Sequence, residues 1–153
     1  MTLGICIPTY NRFYELKDCL NSIYIAYSKY NKIKLEICIS DNSEKNVNLK
    51  TIKYFRKKFK NKVKIKYQKF NKNKGVSINY LKCISMSSSE FVWTIGDDDL
   101  VVPYAFKTIN KLLKKKYIDY FFLNSFHLKD NRLKKNIKSK SLIKGLEPFS
   151  KIK

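Results

Sequence analysis

The sequence lacks any long hydrophobic run. Although 44% of its 153 residues are hydrophobic, no apolar stretch approaches the roughly 18 residues that a membrane-spanning helix needs. The N-terminal stretch MTLGICIPTYN has no basic residue before its short apolar segment, which argues against a secretory signal. The length suits one globular domain with a real hydrophobic core. We therefore expect a globular, cytoplasmic protein.

Metal-binding pairs of cysteine or histidine are also missing. Cys6, Cys19, Cys38 and Cys83 form no CxxC pair and no spacing typical of a zinc site. Each cysteine lies in an apolar segment, so we predict reduced thiols in the core. The single histidine, His127, is a candidate ligand for metal or diphosphate, but a partly exposed residue at a strand end is the favoured interpretation.

Negative charge is scarce. Twelve Asp and Glu oppose 33 Lys and Arg, which gives a formal net charge of +21. A general bias towards lysine explains this charge at least as well as a selected binding face, which would attract nucleic acid, acidic lipid or phosphorylated substrates. The densest basic run, 129–144, lacks the glycine and aromatic residues of an RNA-binding sheet. We expect peripheral contact with an anionic membrane at its inner face, and no specific nucleic acid.

Strand and helix patterns alternate along the chain. Short apolar or alternating runs predict strands, and apolar residues at spacings of three and four predict helices. The predicted strands are 3–9, 34–40, 63–68, 90–95 and 117–126. Helices are predicted between them, with Asn11 as the N-cap of the first and Ile78, Leu81 and Ile84 facing inward in the third. This order predicts an α/β fold, with a mostly parallel sheet and helices on both faces.

Polar residues follow three of the predicted strands. They occupy 9–12 after the first strand, 41–43 after the second and 97–99 after the fourth, while the loop 71–75 precedes the third helix. Ligands of such sheets bind at the carboxyl ends of the strands. We therefore expect these four segments to form one binding site.

The acidic triplet Asp97, Asp98 and Asp99 is the most unusual of these segments. Three adjacent carboxylates repel one another, and a divalent metal, a helix N-terminus or nearby lysines could offset this repulsion. Carboxylates are ligands that Mg²⁺ and Mn²⁺ prefer, and substrate phosphates often complete the metal's coordination. One Asp suffices as a helix cap, so three favour a ligand site. Nearby, Asp41 could accept hydrogen bonds from a base or ribose, and Tyr10 could line the pocket.

Four segments, in this order and spacing, resemble family 2 glycosyltransferases of the GT-A fold. They are CIPTYNR at Cys6–Arg12, ISDNS at Ile39–Ser43, NKGVSIN at Asn73–Asn79 and EFVWTIGDDDLVVP at Glu90–Pro103. The resemblance implies transfer of a sugar from a nucleoside-diphosphate donor, with UDP-sugar favoured, to a glycan or lipid-linked acceptor. Inversion and a requirement for Mg²⁺ or Mn²⁺ are usual in the family. Polysaccharide or lipooligosaccharide assembly is a family tendency.

Carried over by position, the resemblance assigns residues to the donor site. Those implied to bind the nucleotide sugar are Pro8, Thr9, Tyr10, Arg12, Asp41, Asn73, Lys74, Gly75 and Asp97. The acidic triplet would be the DxD-type motif of the family. Aligned on Pro103, it makes Asp98 the first metal ligand, with Asp99 supporting, and leaves Gly96 where many relatives carry the first acid. The other register pairs Asp97 with Asp99.

The resemblance also implies a further part that carries the acceptor site and a general base. We expect a nucleotide-sugar-binding domain at 1–125 and, at 126–153, a basic segment that begins an absent acceptor-binding part, so that the fold is truncated at its C-terminus. Asp119, Asp130 and Glu147 do not suit the base, whose position stays unknown. A basic binding module or a catalytically incomplete remnant is the alternative interpretation.

Overall fold

The computed structural model describes residues 1–60, 62–115 and 123, in which strands and helices alternate. The elements are β1 (Thr2–Thr9), α1 (Phe13–Lys29), β2 (Lys34–Asp41), α2 (Leu49–Lys58), β3 (Lys64–Lys69), α3 (Val76–Ser85), β4 (Phe91–Thr94) and α4 (Ala105–Leu113). The first four predicted strands and the helices between them are thus confirmed, with small shifts at their ends. The predicted strand 117–126 and the segment 126–153, with the side chains of Asp119, His127, Asp130 and Glu147, lie outside the described residues.

The four strands form a parallel sheet in the order β3-β2-β1-β4. In its register, Thr9 at the end of β1 lies beside Asp41 at the end of β2, and Asp41 lies beside Lys69 at the end of β3. The carboxyl ends of these strands are therefore level. The sheet belongs to a compact unit, Met1–Lys111, while Leu112–Lys153 form a second unit.

The two faces of the sheet carry different residues because successive side chains of a strand point to opposite faces. On one face, α3 packs on β1 and β2, and its Cys83 joins Cys6 and Cys38 in a buried cluster. On the other face, Ile5 and Ile37 are fully buried. The helices α1, α2 and α4, with the C-cap residue of α2, supply aromatic residues that pack against one another, namely Tyr24, Tyr27, Phe55, Phe59 and Phe106. The prediction of helices on both faces is confirmed.

The four cysteines are buried free thiols, as predicted. Cys6 donates a hydrogen bond to the carbonyl oxygen of Cys83 at 3.4 Å, and Cys83 donates to that of Cys38 at 3.2 Å. Burial raises the pKa of the Cys19 thiol, and the nearby carboxylates of Asp99, Asp97 and Asp98 raise it further. The Cys19 thiol therefore stays protonated, and all four cysteines act as small core residues.

The buried face of α3 differs from the prediction. Ile78, Leu81 and Ile84, which were expected to face inward, are 50%, 67% and 40% exposed, whereas Asn79 and Cys83 are buried. The reason lies in the contacts with the sheet, where Cys83 packs on Cys6 and Cys38 and Asn79 donates to the carbonyl oxygen of Thr9. The apolar stripe that the spacing predicted exists, but it faces away from the sheet.

The start of α1 is a second correction. Arg12, not Asn11, is the N-cap residue, and no side chain caps the helix. Asn11 has a φ of 53°, a left-handed conformation that Asn tolerates better than most residues, and its backbone N–H donates to Ser43 Oγ at 2.8 Å. Trp93 is half-buried because β4 is the edge strand of the described sheet. None of the helices among the described residues has the length and apolar character to cross a membrane.

Candidate functional site

The structure brings the four polar segments together at the carboxyl edge of the sheet. Thr9 Oγ1 donates to Asp97 Oδ2 at 2.7 Å, which links the end of β1 to the acidic triplet. The segment after β2 joins both of its neighbours, because Ser43 accepts from the backbone of Asn11 and Asn42 Nδ2 donates to the carbonyl oxygen of Gly75 at 2.9 Å. Segments far apart in sequence therefore form one continuous surface.

Asp97 is the buried member of the triplet, with 5% of its surface exposed. Its Oδ2 accepts from Thr9, and its Oδ1 accepts from Arg12 Nη1 at 3.0 Å. Burial raises the pKa of Asp97, although the hydrogen bonds from Thr9 and Arg12 lower it in part, and the charge of Asp98 adds to the rise. Both oxygens therefore have partners in the chain, which hold Asp97 in place; its contact with the donor stays a prediction.

Arg12 offsets the repulsion within the triplet. The same Nη1 atom that contacts Asp97 also donates to Asp98 Oδ2 at 2.8 Å, and the pKa of Arg12 is raised by the hydrogen bond to Asp97 and by the charges of both carboxylates. A helix N-terminus does not explain the triplet, since α4 begins only at Ala105. The positive charge that pairs with the triplet is thus that of Arg12, which sequence reasoning placed in the nucleotide pocket.

Gly96 creates a small cradle between the other two carboxylates. A Cβ atom on Gly96 would lie 2.7 Å from Asp98 Oδ1 and 3.2 Å from Asp99 Oδ2. Asp99 Oδ2 accepts from the backbone N–H of Gly96 at 2.8 Å, while Asp98 Oδ1 accepts no hydrogen bond from the described part of the chain. Two carboxylates therefore converge on a space that a side chain at position 96 would fill.

This cradle fits a hard divalent cation. Mg²⁺ is usually held by one or two carboxylates, with substrate phosphates and water completing its shell. Among the described residues, no group of three or more His, Cys, Asp or Glu is arranged to hold a metal by itself. The donor set of Asp98 and Asp99 thus suits a cation that arrives together with phosphate oxygens.

Asp41 lies within the fold rather than on its surface. It is fully buried, its Oδ1 accepts from the backbone N–H of Ser43, and its Oδ2 accepts from Asn48 Nδ2 and Tyr67 Oη at 3.0 and 2.8 Å. Burial and this hydrogen bond raise the pKa of Tyr67. A base could reach Asp41 only if Tyr67 or Asn48 moved, so the predicted contact with the base stays a prediction.

The loop before α3 is fixed by Asn42, whose side chain accepts from the backbone N–H of Lys74 and donates to the carbonyl oxygen of Gly75. Gly75 has φ 81° and ψ 167°, a region that is essentially restricted to glycine, and Asn73 Oδ1 accepts from its N–H. An open pocket of about 440 Å³ adjoins this loop, and Lys69, Lys72 and Lys74 are among its lining residues. Asn73, Lys74 and Gly75 are all exposed.

Of the remaining predicted site residues, one is buried in the sheet and one lies at the surface. Pro8 is buried within β1, and Tyr10 is 42% exposed beside it. Sequence reasoning missed the organising roles of Asn42 and Asn79, the second of which donates from Nδ2 to the carbonyl oxygen of Thr9 at 3.1 Å. Asn42 and Asn79 both lie inside the segments that resemble the family. The sequence alone could not distinguish a polar residue that supports the loops of the site from one that contacts the ligand.

Comparison with known proteins identifies relatives among glycosyltransferases. The family described as "Glycosyl transferase family 2" matches residues 4–151. Abequosyltransferase RfbV of Salmonella typhimurium is 35% identical over 99 residues, which are 65% of this chain and 28% of that protein. The uncharacterized glycosyltransferase MG060 of Mycoplasma genitalium is 27% identical over 119 residues, which are 78% of this chain and 39% of that protein. The chain therefore spans well under half the length of these relatives.

Solved structures share the fold. S. aureus TarS 1–349 in complex with UDP has a TM-score of 0.68 at 21% identity, covering 86% of this chain and 37% of that one. The mannosyltransferase PcManGT from Pyrobaculum calidifontis, in complex with GDP-Man and Mn²⁺, has a TM-score of 0.63 at 14% identity, covering 76% and 33%. The Rossmann-like GT-A fold predicted from the sequence is confirmed. With a family match over nearly its whole length, the chain belongs to glycosyl transferase family 2.

Proposed function

We propose that the chain is the donor-binding portion of a metal-dependent glycosyltransferase that takes a sugar from a nucleoside diphosphate. The observation that carries this proposal is the cluster at the carboxyl edge, where Thr9 and Arg12 fix the buried Asp97 and leave Asp98 and Asp99 facing the cradle at Gly96. An edge of this kind offers both cationic and carboxylate groups to one ligand. A diphosphate with a divalent cation has the complementary charges.

The chain's own groups would bind the donor in distinct ways. Arg12 is half-exposed and can donate several hydrogen bonds to phosphate oxygens, which its planar guanidinium suits. The exposed ring of Tyr10 offers a flat surface to a base. The backbone at Asn73, Lys74 and Gly75 is open to solvent beside the lysine-lined pocket, so it can approach ribose or diphosphate closely.

Asp98 and Asp99 would hold Mg²⁺ or Mn²⁺. When bound, the cation supplies Lewis-acid stabilisation of the departing nucleoside diphosphate. The donor is proposed to be a UDP-sugar first and a GDP-sugar second; similar folds are known with UDP and with GDP-Man and Mn²⁺. The acceptor is proposed to be a glycan or a lipid-linked glycan in polysaccharide or lipooligosaccharide assembly, with inversion at the sugar. No general base is assigned.

Calorimetry with nucleotides tests this proposal. The folded protein is titrated with UDP and with GDP, each in Mn²⁺ and in excess chelator, and UMP serves as the control that lacks the diphosphate. We expect one nucleoside diphosphate to bind, more tightly with Mn²⁺ than with chelator, and UMP to show little metal dependence. Failure of a folded sample to bind either diphosphate under both conditions would contradict the proposal.

The charge of the chain supports a second, compatible function as a surface that docks on an anionic membrane. Net charge of +21 favours adsorption to acidic lipid, where each Lys or Arg near the surface contributes about 1 kcal/mol. Such docking would bring 1–125, the proposed nucleotide-sugar-binding domain, to a lipid-linked acceptor at the inner face of the membrane. Sedimentation with phosphatidylserine vesicles and with neutral vesicles, at low and high salt, tests it; equal binding to both vesicle types would exclude charge-driven docking.

A further inference from the structure

Arg12 and the cradle at Gly96 use opposite oxygens of one carboxylate. Asp98 Oδ2 accepts from Arg12 Nη1 at 2.8 Å, while Asp98 Oδ1 is the oxygen nearest to the space above Gly96. A cation in the cradle would therefore share Asp98 with the guanidinium. Arg12 would not need to leave for the cation to bind, but the two positive charges would lie only a few ångströms apart.

The charges around Asp98 determine how strongly a divalent cation binds there in the absence of a nucleotide. Three carboxylates and one guanidinium leave a formal charge of −2, but Arg12 sits directly on two of those carboxylates. Like charges at such a separation repel each other even near a protein surface. The guanidinium therefore lowers the affinity of Asp98 and Asp99 for a divalent cation when nothing else is bound.

A diphosphate reverses this effect. Phosphate oxygens are of the kind that ligate a divalent cation and accept hydrogen bonds from a guanidinium, so the negative charge of the diphosphate would offset the repulsion between the cation and Arg12. Arg12 is 49% exposed and only its Nη1 atom is engaged by carboxylates in the described residues. Its other donors are open to such a ligand without breaking the support of the buried Asp97.

We propose that Arg12 makes the cation site conditional on the donor, by weakening the binding of a free divalent cation and strengthening its binding together with a nucleoside diphosphate. This inference rests on the proposed function and concerns the order in which the site fills. Arg12, Asp98 and Asp99 would thus favour a divalent cation bound together with a diphosphate over a free one.

Mn²⁺ binding in the absence of nucleotide tests the inference directly. Free Mn²⁺ is measured by its electron paramagnetic resonance signal in titrations of the wild type, Arg12→Gln, Arg12→Lys and the control Lys17→Gln, which removes a charge from an exposed position on the same helix. We expect Arg12→Gln to bind Mn²⁺ about tenfold more tightly than the wild type, because one nearby positive charge is gone. Arg12→Lys and Lys17→Gln should stay within about threefold of the wild type.

Coupling between the two ligands supplies the second measurement. By thermodynamic linkage, the factor by which UDP tightens Mn²⁺ binding equals the factor by which Mn²⁺ tightens UDP binding. This factor should fall about tenfold in Arg12→Gln, and Lys17→Gln should leave it unchanged. A readout of this kind separates a charge effect from simple damage to the nucleotide pocket, which would weaken UDP binding equally with and without Mn²⁺.

Arg12→Gln removes the partner of the buried Asp97 charge, which would destabilise the fold. The comparison is therefore repeated in an Asp97→Asn background, where no such charge exists. The proposal is overturned if removal of Arg12 fails to tighten Mn²⁺ binding in both backgrounds, or if Lys17→Gln tightens it as much. The proposed function fails in a different way, through absence of UDP and GDP binding by the wild type.

Discussion

Two carboxylate networks lie at opposite ends of the sheet and differ in how completely their oxygens are used. Near the amino ends of the strands, Glu36 is 7% exposed. It accepts hydrogen bonds from Lys66 Nζ at 2.9 Å, the backbone N–H of Ser88 at 2.6 Å, and the hydroxyls of Ser87 and Ser89 at 2.8 and 3.0 Å. At the carboxyl ends, Asp97 accepts from Thr9 and Arg12, and Asp98 Oδ2 accepts from Arg12. No group in the described part of the chain donates to Asp98 Oδ1.

The pKa values follow the same division. Burial by itself would raise the pKa of Glu36, but the hydrogen bonds from Lys66 and the serines lower it to about 2. For Asp97 burial prevails over Thr9 and Arg12, and the pKa is raised. A carboxylate surrounded by donors stabilises the fold, whereas a carboxylate cluster with too few donors is suited to hold an additional cation.

Removal of the Glu36 charge should give the largest effect on stability. In Glu36→Gln, one carboxylate oxygen becomes an amide group that cannot accept from Lys66, and the network around Ser87–Ser89 loses its strongest acceptor. We expect the free energy of unfolding to fall by about 2–3 kcal/mol, measured by urea denaturation. UDP binding by the folded protein should not change.

The control for this variant is Glu90→Gln at the same end of the sheet. Glu90 is exposed and pairs with the N-terminal amine at 3.7 Å, a surface pair of small energetic value. We expect it to change stability by less than about 0.5 kcal/mol. Equal losses in the two variants would show that the closed network around Glu36 has no special role.

The pH dependence of stability should separate the networks by sign. The pKa of Glu36 falls from an ordinary 4.5 to about 2 on folding, so its contribution is present above pH 4.5 and is lost as the pH drops towards 2, by up to about 3 kcal/mol. The pKa of Asp97 is raised, so its ionisation opposes folding as the pH rises above its ordinary value of 3.8. Denaturation between pH 2.5 and 7 would measure both effects.

We expect Glu36→Gln to flatten the acid limb of this curve and Asp97→Asn to raise stability modestly at neutral pH, by less than about 1 kcal/mol. If the Glu36→Gln protein lost as much stability at acid pH as the wild type, Glu36 would not be the cause of that loss.

Truncation of Asp98 should affect binding without affecting the fold. Asp98→Ala removes an exposed carboxylate, so we expect stability to change by less than about 0.5 kcal/mol and the Mn²⁺-dependent gain in UDP affinity to fall by about tenfold or more. Calorimetry with and without Mn²⁺ measures this gain, with Glu90→Ala as the matched loss of an exposed acid. An unchanged gain would favour the other register, in which Asp97 and Asp99 hold the metal.

The sequence was informative where a rule is local or follows from sheet geometry. Apolar periodicity located β1–β4 and α1–α4, and the rule that parallel strands end at one edge brought the segments at Thr9, Asp41, Gly75 and Asp97 together before any coordinates. The same reasoning did not predict that Arg12 pairs with the acidic triplet, because Arg12 and Asp98 lie 86 positions apart in the sequence. No local pattern encodes such a contact.

The failure at α3 has a different cause. The helix has apolar residues on more than one side, so spacing alone could not choose between the stripe of Ile78, Leu81 and Ile84 and the small buried side chains of Asn79 and Cys83. The contacts with the sheet decide between them, because Cys83 packs on Cys6 and Cys38 and Asn79 donates to the carbonyl oxygen of Thr9. Packing between elements thus overrode the stronger hydrophobic signal.

The smallest effect, and the finest test of the contrast between the networks, is expected from Gly96→Ala. The added Cβ would stand 2.7 Å from Asp98 Oδ1 and 3.2 Å from Asp99 Oδ2, and the flexible, exposed end of Asp98 can move away at little cost to stability. That movement takes the free oxygen out of the cradle, so we expect Mn²⁺-dependent UDP affinity to fall by about threefold with an unchanged unfolding midpoint. Gly96 has no positive φ, so backbone strain cannot produce the effect. A Gly96→Ala protein with unchanged Mn²⁺ dependence would show that the convergence of Asp98 and Asp99 over this residue is not where the metal is held.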